Sequence, residues 1–237
     1  MSQPAAATKP FWGWLDAALF LALIAPCGVA ALLLTKGLNR IFPLPSQLSF
    51  LLAFQFIGYG IWLSSLYALL HLRYRRPFWE SMAWKFPWRG AGATVLIGPV
   101  LAFAVGVGAY VLRTPEVNSE LQAMMKDRFS IVLVGVFSAT LGPVCEELVF
   151  RGFFQPLLIR QFGTHLGVLL CAAPFAVLHG PQYHWTWQII VLLTLAGAVF
   201  GYTRLRTGST AASTTVHAAY NLTYFTAYIA QQKDLYF

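Results

Sequence analysis

Residues 142–155 read Gly-Pro-Val-Cys-Glu-Glu-Leu-Val-Phe-Arg-Gly-Phe-Phe-Gln. Two adjacent carboxylates, Glu146 and Glu147, thus sit with Arg151 inside an apolar run that begins near Ile131. An ionisable side chain at membrane depth costs several kcal/mol, so by default it marks a functional site. On a helix, Glu147 and Arg151 are four apart and pair along one face, whereas Glu146 points about 100° away. One carboxylate is then neutralised internally and the other faces something else. Two more patches share this character: Phe175-Ala-Val-Leu-His179 and His217-Ala-Ala-Tyr-Asn221. Phe175 and His179 lie on one helix face, as do His217 and Asn221.

Taken singly, each group has a plain structural role. Glu147 and Arg151 can be a salt bridge, His179 or His217 a hydrogen-bonding membrane histidine, and Asn221 a link between helices. Together, Glu146, Glu147, Arg151, His179, His217 and Asn221 are too costly in one small bundle to be packing alone. The set suits water-mediated amide hydrolysis. A glutamate in an apolar pocket can take a proton from water and pass it to a leaving amine, with a histidine orienting the water or shuttling the proton. A His/Asn pair at helical spacing can donate two hydrogen bonds to a developing oxyanion. Covalent catalysis has less support, because there is no Gly-x-Ser-x-Gly and Cys145 has no base assigned to it.

These residues need a scaffold, and the composition names it. Of 237 residues, 58% are hydrophobic and only 10% charged, which ordinary soluble domains do not show. We read an all-α fold, a polytopic transmembrane helical bundle of about seven or eight segments, whose partners include membrane lipids. The formal charge of +8 is spread between apolar segments. That distribution fits topology signals and head-group contacts and argues against a nucleic-acid partner. Cys27, Cys145 and Cys171 lie in apolar segments and form neither a disulfide framework nor a zinc-ligand spacing.

Along the chain, residues 1–14 read as a disordered cytoplasmic tail and 15–128 as N-terminal membrane spans with an interfacial basic segment. Residues 129–230 form the core that carries the chemistry. Spans are expected near 15–35, 48–72, 91–112, 130–159, 165–181, 187–203 and 209–229, with Pro143 and Pro156 bending the fourth. Basic residues and Trp79, Trp84 and Trp88 alternate through 73–89, as on a head-group surface. This is the loop richest in Lys and Arg, so it and the N-terminus are expected on the cytoplasmic side. The compact chain points to a prokaryotic plasma membrane.

The Glu-Glu-x-x-x-Arg, Phe-x-x-x-His and His-x-x-x-Asn triplet, in this order and with these separations, resembles the CAAX-protease and bacteriocin-processing (CPBP, or Abi) family. The resemblance covers roughly Val134 to Tyr228. It implies a helical intramembrane endopeptidase with a polar cavity open to the cytoplasmic leaflet, acting on a membrane-anchored peptide or protein such as a prenylated CAAX-type substrate. By position, Glu146 would activate the attacking water and His179 would assist. His217 and Asn221 would stabilise the oxyanion, and Glu147 and Arg151 would hold the Glu-bearing helix. No cofactor is favoured. Zinc held by Glu146, His179 and His217 is the alternative, although there is no His-Glu-x-x-His. Two rival readings are a non-catalytic membrane scaffold or immunity protein on the same fold and a proton-coupled transporter.

Overall fold

A computed structural model describes residues 10–86, 91–117, 119, 122, 125 and 127–231. These residues form helices joined by short turns, with no strand among them. Five helical stretches among them are long and apolar enough to cross a membrane: Trp14–Ile41, Gln47–Tyr74, Gly92–Val111, Arg128–Phe162 and Trp187–Thr207. Thr164–Leu178 is apolar but shorter. Thr210–Gln231 has the length, and its apolar character is diluted by Ser, Thr, His and Asn. These elements make up the membrane bundle expected from sequence.

The chain divides into two compact units, Pro10–Ser81 and a second from Met82 onward. Of the tail expected over 1–14, residues 1–9 lie outside the described ones. Pro10 and Trp12 are buried, and Gly13 precedes the first helix. The first unit holds α1 (Trp14–Ala22), α2 (Ile24–Ile41), α3 (Gln47–Tyr74) and the short α4 (Phe78–Ser81). It is tied together by Asp16, which the sequence reading did not single out. This buried carboxylate pairs with Arg73 at 2.9 Å and accepts hydrogen bonds from the Tyr74 hydroxyl at 2.7 Å and the Gly13 amide at 2.8 Å. Phe20 and Trp62 stack below it with centroids 4.4 Å apart.

The second unit holds α5 (Ala91–Val111), α6 (Arg128–Ala139), α7 (Leu141–Glu147), a π-helical turn (Leu148–Phe154), α8 (Gln155–Phe162), α9 (Thr164–Leu178), α10 (Trp187–Thr207) and α11 (Thr210–Gln231). Helix α5, grouped by sequence with the N-terminal spans, packs closely on α11. A Cβ on Gly98 would stand 2.5 Å from Ala219 Cβ and 2.7 Å from the Tyr220 amide nitrogen, so only glycine permits this approach.

Straight, the 35 residues of Arg128–Phe162 would run about 52 Å at 1.5 Å per residue, well beyond the ~30 Å hydrocarbon core. The stretch breaks at Thr140, whose φ of −129° and ψ of −81° leave the helical region. Pro143 explains the position: it has no N–H for the carbonyl of Ala139, four residues earlier, and its ring crowds that carbonyl. The second irregularity, the π turn, ends just before Pro156. Both irregularities thus fall just ahead of the two prolines at which the sequence leads one to expect bends.

Residues 82–85, within the stretch expected at the head groups, are more firmly held than their composition suggests. Trp79 and Phe86 are exposed, but Met82 is fully buried. The Thr210 hydroxyl donates to the Met82 carbonyl at 2.5 Å, the Thr210 amide to the Ala83 carbonyl at 2.9 Å, and Ser209 Oγ to the Lys85 carbonyl. Those three bonds anchor 82–85 to the start of α11. Residues 87–90 of the same stretch, including Trp88, lie outside the described residues.

Candidate active site

Glu147 closes α7 and Arg151 sits in the middle of the π turn, and both are completely buried. Arg151 Nη1 donates to Glu147 Oε1 at 2.9 Å, the pairing expected from the four-residue spacing. Its Nη2 donates to the Gly197 carbonyl at 2.8 Å. The guanidinium carbon lies 4.6 Å from the Phe175 ring centroid and 5.4 Å from that of Phe200, an aromatic cradle that favours a desolvated cation. Glu147 is saturated from two further sides. His217 Nδ1 lies 3.0 Å from Oε1, and Ser213 Oγ donates to Oε2 at 2.5 Å. A buried ion pair is costly unless further hydrogen bonds support it; here three donors surround the carboxylate, while Arg151 Nε is left without a hydrogen-bond partner.

His217 is held by its faces as well as by its nitrogens. Its ring stacks on Phe200 at 4.5 Å and meets the edge of Phe175 at 5.7 Å. With Nδ1 against Glu147, Nε2 is directed to Glu146, 3.8 Å from Oε2. The two glutamates differ as the sequence suggests: the Glu147 side chain is 0% exposed and that of Glu146 is 20% exposed. One is walled in, the other opens outward, and a single imidazole touches both.

His179 ends α9, half-buried, with its ring 4.8 Å from Phe175. Its Nδ1 lies 2.8 Å from the Phe175 carbonyl. A carbonyl only accepts, so this nitrogen carries the proton and Nε2 offers the lone pair in the neutral ring. Phe175 therefore touches both histidines and Arg151 at once. Asn221 is not joined to the Glu147 network. Its Nδ2 donates to the Ser138 carbonyl at the end of α6, at 2.9 Å. Among the described residues, no group of three or more His, Cys, Asp or Glu side chains is placed to hold a metal ion. The three-ligand set Glu146–His179–His217 is accordingly not gathered as one group.

Several participants escaped the sequence reading. Ser213 lies four residues before His217 and so shares its helix face; that spacing was the available signal. Gly197-x-x-x-Gly201 is a small-residue motif for close packing in lipid. Here it works through its carbonyls, because Arg151 donates to Gly197 and Gln155 Nε2 donates to Gly201 at 3.0 Å. A Cβ on Gly197 would lie 3.0 Å from Arg151 Nη2, and one on Gly201 would lie 2.6 Å from Gln155 Oε1. Tyr183, half-buried in the turn after His179, is within electrostatic reach of Glu146 and Tyr224. The two residues after it, His184 and Trp185, both adopt positive φ (49° and 57°), a strained backbone of the kind found where function fixes a loop.

Beside the site runs an apolar groove of about 350 Å³ lined by Trp84, Phe86, Thr140, Val144, Ala218 and Leu222, among others. Its threonines present methyl groups. Thr140, Thr214 and Thr215 each return the hydroxyl to the carbonyl four residues back in the chain.

Residues 128–223 match the family model described as Type II CAAX prenyl endopeptidase Rce1-like. No curated protein and no solved structure matches the chain.

Proposed function

From the match of residues 128–223 to the Rce1-like type II CAAX prenyl endopeptidase model, we propose that the protein is an intramembrane endopeptidase that hydrolyses a peptide bond with water activated by Glu146. The observation that carries this reading is the pair of unlike glutamates bridged by His217. Glu147 is fixed by Arg151, Ser213 and His217 and is fully buried. Glu146 keeps an exposed edge.

Glu146 takes a proton from the attacking water and delivers it to the leaving amine, a positioned general base turned general acid. His179 assists through Nε2, its Nδ1 being committed to the Phe175 carbonyl. His217, anchored through Nδ1, faces the reaction with Nε2. Asn221 spends one amide hydrogen on Ser138, which fixes the side chain and leaves the second for the oxyanion. Glu147 and Arg151 position the glutamate-bearing turn.

The substrate is a membrane-associated peptide, prenylated in the CAAX manner. The neighbouring groove supports this, since a surface whose hydroxyls are all turned inward suits hydrocarbon. The N-terminus is on the cytoplasmic side of a prokaryotic plasma membrane, a placement supported by the Lys and Arg count of 73–89. Labelling of single cysteines introduced into that loop from either side of the membrane tests it.

The deciding experiment compares cleavage of a farnesylated CAAX-type peptide by purified wild type and Glu146→Gln. Wild type should cleave and the variant should lose at least a hundredfold in turnover, with the melting midpoint unchanged. Equal cleavage by both would remove Glu146 from the chemistry.

A further inference from the structure

One buried charged side chain of the second unit takes no part in the network above. Arg204 is only 9% exposed, and its Nε is buried without a hydrogen-bond partner. No carboxylate among the described residues pairs with it; Glu147 and Glu146 are engaged by His217, and Asp127 by Ser130. It lies four residues past Phe200 and seven past Gly197 in α10, on the stripe that faces the interior. A buried guanidinium without a counter-charge is strongly unfavourable, so its retention calls for an anion.

A second cation stands at the turn that follows. Gly208, at φ +63°, makes the turn into α11, and a Cβ built there would lie 3.7 Å from Lys85 Nζ. Arg206, two residues on, is exposed and lies on the other face of α10, outside this corner. The amides opening α11 are already used, Thr210 N by Ala83 and Ala212 N by Ser209, so the attraction comes from side chains. Arg204 stands three residues before the end of a membrane-crossing helix, about 5 Å along its axis. That is head-group depth, where basic pockets between membrane helices take anionic lipid head groups, and a guanidinium fork matches phosphate oxygens in pairs.

We propose that the corner where Arg204 of α10 and Lys85 meet the turn into α11 binds the phosphate of an anionic phospholipid. The assignment does not rest on the peptidase chemistry. It is tested by thermal unfolding of wild type, Arg204→Gln and Lys85→Gln in neutral micelles, alone and with phosphatidylglycerol, phosphatidylcholine or inorganic phosphate. Phosphatidylglycerol at saturation should raise the wild-type midpoint by about 5 °C, and phosphatidylcholine should not. Arg204→Gln should lose the gain, yet melt at or above wild type in neutral micelles, because it no longer buries an unpaired charge. Lys85→Gln, an exposed substitution, should keep part of the gain. A gain from inorganic phosphate equal to that from phosphatidylglycerol would identify a free-anion site and overturn the lipid assignment. An equal gain in wild type and Arg204→Gln, or an Arg204→Gln protein less stable than wild type without lipid, would overturn the site itself.

Discussion

Glu146 and Glu147 are neighbours in sequence and opposites in circumstance, and the contrast was legible because a helix turns about 100° per residue. The Glu147–Arg151 pair was equally legible. What spacing could not supply was the third and fourth partners of Glu147, since Ser213 and His217 arrive from 66 and 70 residues away. Truncating Arg151 to Ala strands a buried carboxylate and should cost about 3–5 kcal/mol, read as a large fall in unfolding midpoint in detergent. Unchanged melting would mean that Glu147 is held by His217 and Ser213 alone. Asn221→Ala should behave differently. It removes the amide proposed for the oxyanion, costing on the order of a hundredfold in turnover, and the bond to Ser138, costing only about 1 kcal/mol of stability. A variant with full turnover and the same small stability loss would leave Asn221 purely structural.

At the scale of elements, sequence pattern located the helices and missed how two of them grip each other. Arg151 and Gln155 donate to Gly197 and Gly201, carbonyls with the same four-residue step on α10. The motif is visible in sequence as paired glycines, but the polar side chains that reach its carbonyls belong to another helix. Gly201→Ala would press a methyl group on the Gln155 amide and on Val168 Cγ1, 3.0 Å away. We expect a loss of about 1–3 kcal/mol and reduced turnover, measured together by melting and peptide cleavage. Helix α6 offers a pH-dependent counterpart. Asp127 caps it, accepting from the Ser130 hydroxyl at 2.6 Å and the Ser130 amide at 3.0 Å, and these bonds hold its carboxyl below its ordinary value of 3.8. The folded state therefore binds this proton less tightly than the unfolded chain. The cap's contribution is complete above the ordinary carboxylate range and disappears as pH falls through the lowered value. The difference in midpoint between wild type and Asp127→Ala should be constant from pH 7 to about 5 and shrink at more acid pH. A difference that grows on acidification would contradict the cap.

Over the whole molecule, the helical membrane architecture follows from composition alone, because so apolar a chain must satisfy its backbone internally in lipid. The division of labour does not. Helix α5 lies before the matched segment 128–223, yet it packs on α11, the helix that carries Ser213, His217 and Asn221. The Gly- and Ala-rich run of α5 signals close packing but not its partner; the association rests on a missing side chain at Gly98 meeting the small Ala219. The contact has a consequence for descent. Positions 98 and 219 share one space, so lineages of this protein should inherit them as a linked pair. A bulkier residue at 219 should be found only where α5 has shifted or been replaced, and the boundary of what evolves together would then begin at α5, upstream of the motif residues themselves.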